Sequence, residues 1–366
     1  MKKNICLTIH SLIDGGGEER MCTLLANELY DKGYKVIVVT LEQFQSQKNS
    51  FPLNKEIKQY SLRKNRVERK LFSYRCFQSI PLLRYRRILK QEEVNVIIDV
   101  DIHQSLVSTR AVKDNNIKII SWDHFNYERF KNRWSYKVIL NCFNSGKIDK
   151  FVVLTKSDRK SYIDIEGFSP DFIKQIYNPS PIESDTLLSH NSKTILAIGR
   201  LQEQKGFDLL LKAWAIVEDK CPEWHLEIVG EGAMKEKLLS LTRQLKIKRV
   251  VFSNFTSQIE DKYKSSSIYV LSSRYEGFPL VLLEALSMSL PLVSFDCKTG
   301  PSEIIKDGYN GFLVEPENTD LLAKKLLQLI EDDKLRKQMS NNAFVSSKQY
   351  KKDSIINQWC DLLDSI

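Results

Sequence analysis

The chain begins with a short apolar run, Ile5 to Ile9, a glycine-rich turn, Asp14 to Gly17, and a helical stretch from about Glu18 to Lys32. Gly33 ends that helix, and a second apolar run follows from Tyr34 to Thr40. Strand, loop, helix and strand in that order form the building block of an open parallel sheet. Gly15, Gly16 and Gly17 then lie at the carboxyl end of the first strand, where such sheets bind ligands. A dinucleotide fingerprint would want glycine at position 20, where Arg20 stands, and no Walker A pattern is present. The nicotinamide reading weakens accordingly.

The same pattern continues through strands at Val94 to Val100, Ile117 to Trp122 and Phe151 to Thr155, the last followed by a helix near Ser157 to Glu166. It is interrupted at Ile176 to Asp185, IYNPSPIESD, whose prolines, serines and asparagine read as a linker. It then restarts with a strand at Thr194 to Ile198 and an amphipathic helix from Phe207 to Asp219. Further strands are expected at His225 to Val229, Val250 to Phe252, Ile268 to Leu271, Leu292 to Phe295 and Gly311 to Val314. The last helices are expected at Asp320 to Ile330 and about Asp332 to Leu363. At 366 residues the chain is too long for one ordinary core. Two α/β domains of about 150 to 200 residues each fit it.

With 42% hydrophobic and 28% charged residues, the composition is that of a soluble globular protein. No segment approaches the roughly 18 apolar residues of a membrane span, and the start runs straight into a strand, which gives a cytoplasmic reading. Cys6, Cys22, Cys76, Cys142, Cys221, Cys297 and Cys360 include no C-x-x-C pair, so neither a zinc site nor a disulfide framework is implied. The net charge of +9 is unevenly spread: Lys55 to Lys90 holds twelve Lys or Arg against two acidic residues. Interleaved with Leu71, Phe72, Tyr74, Phe77, Ile80, Leu82 and Leu83, the block suits an anionic membrane surface, or else a solvated helical face. Nucleic acid is the rival anion, and charge alone does not separate the two.

The most informative stretch is Ser272 to Val293, SSRYEGFPLVLLEALSMSLPLV. Its apolar helical run from Leu280 to Leu286 is broken by one carboxylate, Glu284, eight residues after Glu276. Pro279 suits the first turn of that helix, where its missing N–H costs nothing, with Gly277 and Phe278 as the entry loop. Glu284, between Leu283 and Ala285, is then at least partly buried and needs a donor. First-turn N–H groups beside Glu276 suit an oxygen-rich ligand.

Glu276 and Glu284 in the setting EGFPLVLLEAL, followed by PLVSFDCKTGPSEIIKDGYNGFLV, resemble the E-x7-E signature of the retaining glycosyltransferases of family 4. Gly16, Gly17, Glu18, Glu19 and Arg20 resemble that family's glycine loop, departing at Glu18, where a small residue is usual. Arg200 and Lys205, in GRLQEQKGFDLLLKAW, match its phosphate-binding Arg and Lys, and His124 falls where many relatives place a His near the donor sugar. The resemblance is dense from Gly199 to Val314 and sparse between Leu41 and Phe151.

It implies the GT-B architecture: two Rossmann-like doubly wound parallel-sheet domains facing across a cleft. Residues 1–178 would bind the acceptor, 179–348 the nucleotide-sugar donor, and 349–366 would return to the first domain. By resemblance the donor, a UDP-sugar, meets Gly16, Gly17, Arg200, Lys205, Glu276, Gly277, Phe278, Pro279, Leu280 and Glu284. The loop Ser253 to Ser257 lies where the family holds the base. Arg200 and Lys205 would neutralise the leaving diphosphate without a metal, and no cofactor is implied. Glu284 would accept from the ribose diol, while Glu276 and His124 would contact or position the sugar. Asp99-Val100-Asp101 is an Asp-x-Asp at a strand end, the metal motif of another glycosyltransferase fold, which the two-domain pattern argues against. A saccharide acceptor on a polyprenyl-diphosphate lipid, at the inner face of a bacterial membrane, is the expected partner; nucleic acid is not. The rivals are a sugar-nucleotide epimerase of the same fold and a non-enzymatic basic membrane- or nucleic-acid-binding protein; the last leaves both glutamates unexplained.

Overall fold

A computed structural model describes residues 2–42, 47–63, 79–113, 116–132, 135–189, 191–256 and 258–366. The chain forms two compact units, one of Met1–Asn178 with Asp353–Ile366, the other of Pro179–Lys352.

The sheet of the first unit contains β1 (Asn4–Ile9), β2 (Lys35–Glu42), β3 (Lys58–Arg63), β4 (Val96–Val100), β5 (Lys118–Trp122), β6 (Lys150–Val153) and β7 (Ile173–Gln175). Their order is β3-β2-β1-β4-β5-β6-β7, and the pairings are parallel. The second unit contains β8 (Thr194–Ile198), β9 (His225–Val229), β10 (Val250–Ser253), β11 (Ile268–Leu271), β12 (Leu292–Phe295) and β13 (Gly311–Val314). Its order is β10-β9-β8-β11-β12-β13, again parallel. The central strands are buried along their whole length, as in β4, β8, β11 and β12. Helices cover both faces of such a sheet, so its strands read as continuous apolar runs.

In the second unit the helix Phe207–Lys220 buries Phe207, Leu210, Leu211, Trp214 and Val217, one stripe at helical spacing, in a core with Leu322, Leu326 and Leu329 of the helix Thr319–Glu331. The first core gathers Tyr85, Ile97, Ile119, Phe151 and Tyr162. The expected long helix from Asp332 to Leu363 is two helices, Asp333–Ser347 and Lys352–Asp364, separated by a tight turn at Lys348–Tyr350. Tyr350 anchors that turn by donating to the Glu303 carbonyl at 3.0 Å. The final helix belongs to the first unit: Trp359 packs on Trp122 with ring centroids 4.9 Å apart, and Lys3 donates to the Leu363 and Ile366 carbonyls.

The basic block is not one helical face. Its start is the edge strand β3, and Ser79–Gln91 is a helix; Leu71, Phe72, Tyr74 and Phe77 lie outside the described residues. Lys58 pairs with the buried Glu92 at 2.9 Å and Arg63 with Glu42 at 3.1 Å. Arg86 donates to the Ala111 and Arg110 carbonyls, and Arg84 to that of Leu62. Part of the charge therefore holds the fold. Arg87, Lys90, Ile80 and Leu83 remain exposed on the helix. Among the described residues no helix is long and apolar enough to cross a membrane.

Candidate active site in the second unit

β8 and β11 are neighbours, but the chain leaves β8 toward β9 and leaves β11 toward β12. Such a reversal of direction puts the crevice usual for ligands in a doubly wound sheet at the carboxyl ends of these two strands. Both loops are built for close approach. Gly206 has φ +60°, and a Cβ there would stand 2.0 Å from the Ser272 carbonyl oxygen. Only glycine fits, and the loops touch backbone to backbone. Gly199 leaves room for the Lys205 stem, whose carbons would lie 3.3 Å from any Cβ there.

Lys205 Nζ meets Glu276 Oε1 at 2.7 Å, with side-chain exposures of 16% and 8%. Ser273 Oγ donates to the same oxygen at 2.6 Å. A charge pair this buried survives only with such extra hydrogen bonds, because desolvation costs several kcal/mol per ion. The Glu276 carbonyl accepts from Thr299 Oγ1 at 3.1 Å. Thr299 has φ +62°, strained for a β-branched residue, in a loop that presses on Gly277 and Pro279 through Gly300.

Pro279 is the N-cap of the helix Leu280–Ser287, with φ −73° and ψ 104°, rather than a first-turn residue. Its ψ is extended, so the helix begins one position later. Phe278 is buried, and Gly277 and Leu280 are partly exposed. Glu284 is 2% exposed and accepts from Tyr263 Oη at 2.6 Å, so the donor that its burial requires is a tyrosine of the helix Ile259–Lys264. Arg200 is exposed on the loop after β8. Ser257, at the end of the loop after β10, lies outside the described residues, as does His190.

The first unit has an equivalent crevice between β1 and β4. There the conformational demand for glycine falls on Gly15, φ +68°, while Gly16 caps the helix Gly17–Asp31 with an extended backbone. Glu18 and Glu19 occupy the first turn, and Glu19 Oε2 would be 2.7 Å from a Cβ on Gly16. A carboxylate at that helix end occupies ground that suits an anion. The Asp-x-Asp separates into two structural groups. Asp99 is fully buried and accepts from Ser108 Oγ at 2.6 Å; Asp101, at φ +85°, accepts from the His103 N–H at 2.9 Å. Among the described residues no group of three or more His, Cys, Asp or Glu is placed to hold a metal.

His124 follows β5, with its ring 4.3 Å from that of Trp122. Its Nε2 is buried and has no hydrogen-bond partner among the described residues. Burial lowers its pKa to about 4 against the pull of Asp101, so the imidazole is neutral near pH 7.

Three site-shaping residues escape a sequence reading: Ser273, Tyr263 and Arg274. Ser273 lies three residues before Glu276 and so had a local signal. Tyr263 sits 21 residues from Glu284, and Arg274 66 residues from its partner Asp208, so neither had one.

Residues 181–345 match the family model described as Glycosyl transferases group 1, and residues 15–183 the one described as Glycosyltransferase Family 4. An uncharacterized glycosyltransferase of Haemophilus influenzae is 33% identical, covering 99% of this chain and 100% of its own. The amylovoran biosynthesis glycosyltransferase AmsD of Erwinia amylovora is 30% identical, covering 98% and 99%. Among solved structures, Anabaena HepE in complex with UDP and glucose shares the fold, with a TM-score of 0.80 at 19% identity and 100% of both chains covered.

Proposed function

The chain belongs to glycosyltransferase family 4, and from that membership we propose that it moves a hexose or N-acetylhexosamine from a UDP-sugar to a saccharide acceptor in bacterial surface-polysaccharide assembly. The observation that carries the reading is the buried Lys205–Glu276 pair, 2.7 Å apart, at the crevice between β8 and β11. The UDP and glucose bound to HepE and the amylovoran role in the name of AmsD support the donor and the pathway class.

In this reading residues 179–348 hold the donor and 1–178 the acceptor. The donor diphosphate competes with Glu276 for Lys205, and Arg200 adds a second cation. Charge grows on the diphosphate as the glycosidic bond breaks, so a cation fixed there stabilises the transition state more than the ground state. Glu276, released from Lys205, faces the sugar hydroxyls. Glu284, fixed by Tyr263, accepts from the ribose diol. The backbone N–H groups of Gly277, Phe278 and Leu280 donate to sugar or phosphate oxygens. Neutral His124 offers an imidazole to the sugar without adding charge. Gly16 and Gly17 contribute backbone only, since the acidic first turn beside them disfavours a diphosphate. Transfer retains the anomeric configuration and requires no metal; both follow from the family pattern.

The acceptor is a lipid-linked saccharide at the inner face of the cytoplasmic membrane. Ile80 and Leu83, 39% and 58% exposed on a helix that also shows Arg87 and Lys90, support contact with anionic lipid. Vesicles of anionic lipid should retain more protein than neutral ones; equal retention removes this part of the reading.

The deciding experiment is a panel of nucleotide sugars in EDTA, followed by thermal shift and slow hydrolysis, on wild type, Lys205→Ala and Glu284→Gln. One UDP-sugar should stabilise and be consumed by wild type alone. If no nucleotide sugar binds, or binding survives both substitutions, the reading is overturned. Incubation with donor alone also separates hydrolysis from the epimer an epimerase would make. The anomeric proton coupling of the transfer product reports retention.

A further inference from the structure

Arg274 lies two residues before Glu276, yet its side chain turns away from the ion pair and binds the other loop. Its backbone N–H donates to the Gln204 carbonyl at 2.8 Å. Its Nη1 donates to the Glu203 carbonyl at 2.7 Å and to Asp208 Oδ1 at 2.9 Å, and its Nη2 to Asp208 Oδ2 at 2.8 Å. Its Nε stands 3.6 Å from Glu317. The guanidinium thus reaches the tight turn Glu203–Lys205, the first turn of the helix Phe207–Lys220 and the loop before the helix Thr319–Glu331. Gln204 Nε2 returns a bond to the Tyr275 carbonyl at 3.0 Å, and Ser272 Oγ donates to the Lys205 carbonyl at 2.9 Å. Arg274 and Asp208 are 22% and 25% exposed, and the fork-to-fork geometry is the strong form of an ion pair. Burial would raise the Asp208 carboxyl, but the hydrogen bonds and charge of Arg274 outweigh it and hold it below its usual range.

These bonds frame two residues. Lys205 is the last residue of the turn that Arg274 grips, and Glu276 is two residues beyond Arg274 on the loop that carries it. The Lys205–Glu276 contact is therefore the end of a short rigid bracket whose far side is the Arg274–Asp208 fork. We propose that Arg274 is a positioning residue: by clamping the loop after β11 to the loop after β8, it fixes where the Lys205 ammonium stands relative to the Glu276 carboxylate. Its chemistry requires a planar fork, and a lysine of equal charge cannot replace it. The inference rests on the transferase reading for its catalytic consequence and on the loop geometry alone for its structural one.

The test compares Arg274→Ala, Arg274→Lys and Asp208→Asn with wild type, alone and combined with Lys205→Ala. Arg274→Ala should lower kcat by about 10- to 100-fold with the donor KM changed by less than about 3-fold, the signature of misplacement rather than lost contact. Arg274→Lys should fall with it, and Asp208→Asn should show a smaller loss of the same kind. In a Lys205→Ala background the further loss from Arg274→Ala should shrink to about 2-fold or less, because the brace has nothing left to position. A wild-type-like Arg274→Lys, losses that multiply in the Lys205→Ala background, or a rise in KM at constant kcat would overturn the proposal.

A second readout needs no donor. Acylation of Lys205 by an activated ester, followed by peptide mass, should speed up several-fold in Arg274→Lys under conditions where its melting curve stays cooperative. An unchanged rate sinks the brace. If wild type turns over no UDP-sugar, the transferase reading fails while this labelling result still decides the role of Arg274.

Discussion

At the β1/β4 switch point the loop after the first strand turns through Gly15 and places Glu18 and Glu19 in the first turn of its helix. At the β8/β11 switch point the equivalent loop turns through Gly206 and carries Arg200 and Lys205. Strand order and crossover are the same, so the crevice is the same kind of place. The side chains differ in sign. The carboxylates also differ in treatment: Asp99 is sealed in the first sheet with hydroxyl neighbours, whereas Glu276 is held at its crevice by a lysine and a serine. Topology supplies a position, and the charge written onto it decides what that position can bind.

The largest test of this contrast removes the cation. Lys205→Ala should cut turnover of the donor by about 100- to 1000-fold, the usual cost of a lost transition-state charge partner. Glu19→Gln, at the corresponding loop of the first unit, should stay within a few-fold in the same assay. Comparable losses would mean that both crevices meet the charged part of the substrate.

The two loop glycines come next. Gly206→Ala meets the left-handed penalty and a carbonyl oxygen 2.0 Å away, so backbone must move. Denaturant unfolding should show a loss of about 3 kcal/mol or more. Asp99 gives an effect of similar order that depends on pH. Burial raises its pKa from 3.8 to about 7 despite hydrogen bonds from Ser108 and Ser105, so the folded state holds the proton more tightly than the unfolded chain. This stabilisation is fully present below about pH 4 and is lost as pH rises to about 7. The stability difference between wild type and Asp99→Asn should therefore drift by on the order of 3 kcal/mol across that window, and a flat difference would show that the carboxyl is ionised when buried. Smallest is Gly15→Ala. The same left-handed φ applies, but the nearest atom is Ser50 Oγ at 3.6 Å, so only the conformational cost of about 1 to 2 kcal/mol remains.

The doubly wound fold was legible because its buried strands are mostly apolar; β8, β9, β11, β12 and β13 match the expected runs residue for residue. The strands that escaped are β3, KQYSLR, and β7, IKQ, at the outer edges of the first sheet. These two keep one side in water and carry charge, unlike the uncharged edge strand β13, GFLV, so they lack the signal that marks their neighbours. The helix Ser79–Gln91 was anticipated only as a helical face of the whole block, without its bounds, since its arginines dominate the composition around it. At the crevice, Glu284 was visible in sequence because a charge in an apolar run stands out, while Lys205 and Glu276 were visible through the motifs around them. Their partners were less so. Tyr263 and the Arg274–Asp208 fork act across the fold, and nothing local to them announces which carboxylate they will meet.

The last helix, Lys352–Asp364, completes the first unit, with Trp359 against Trp122 and the Tyr34 hydroxyl donating to Asp364 Oδ1 at 3.3 Å. The second unit is therefore an insertion within the first, uninterrupted from Pro179 to Lys352. During synthesis from the amino end, the later-encoded unit has all its residues first, while the earlier one waits for its closing helix with Trp122 uncovered. A chain stalled or truncated before residue 353 would carry a finished second unit beside an unfinished first one, and so would present to chaperones and proteases a defect located far upstream of the break.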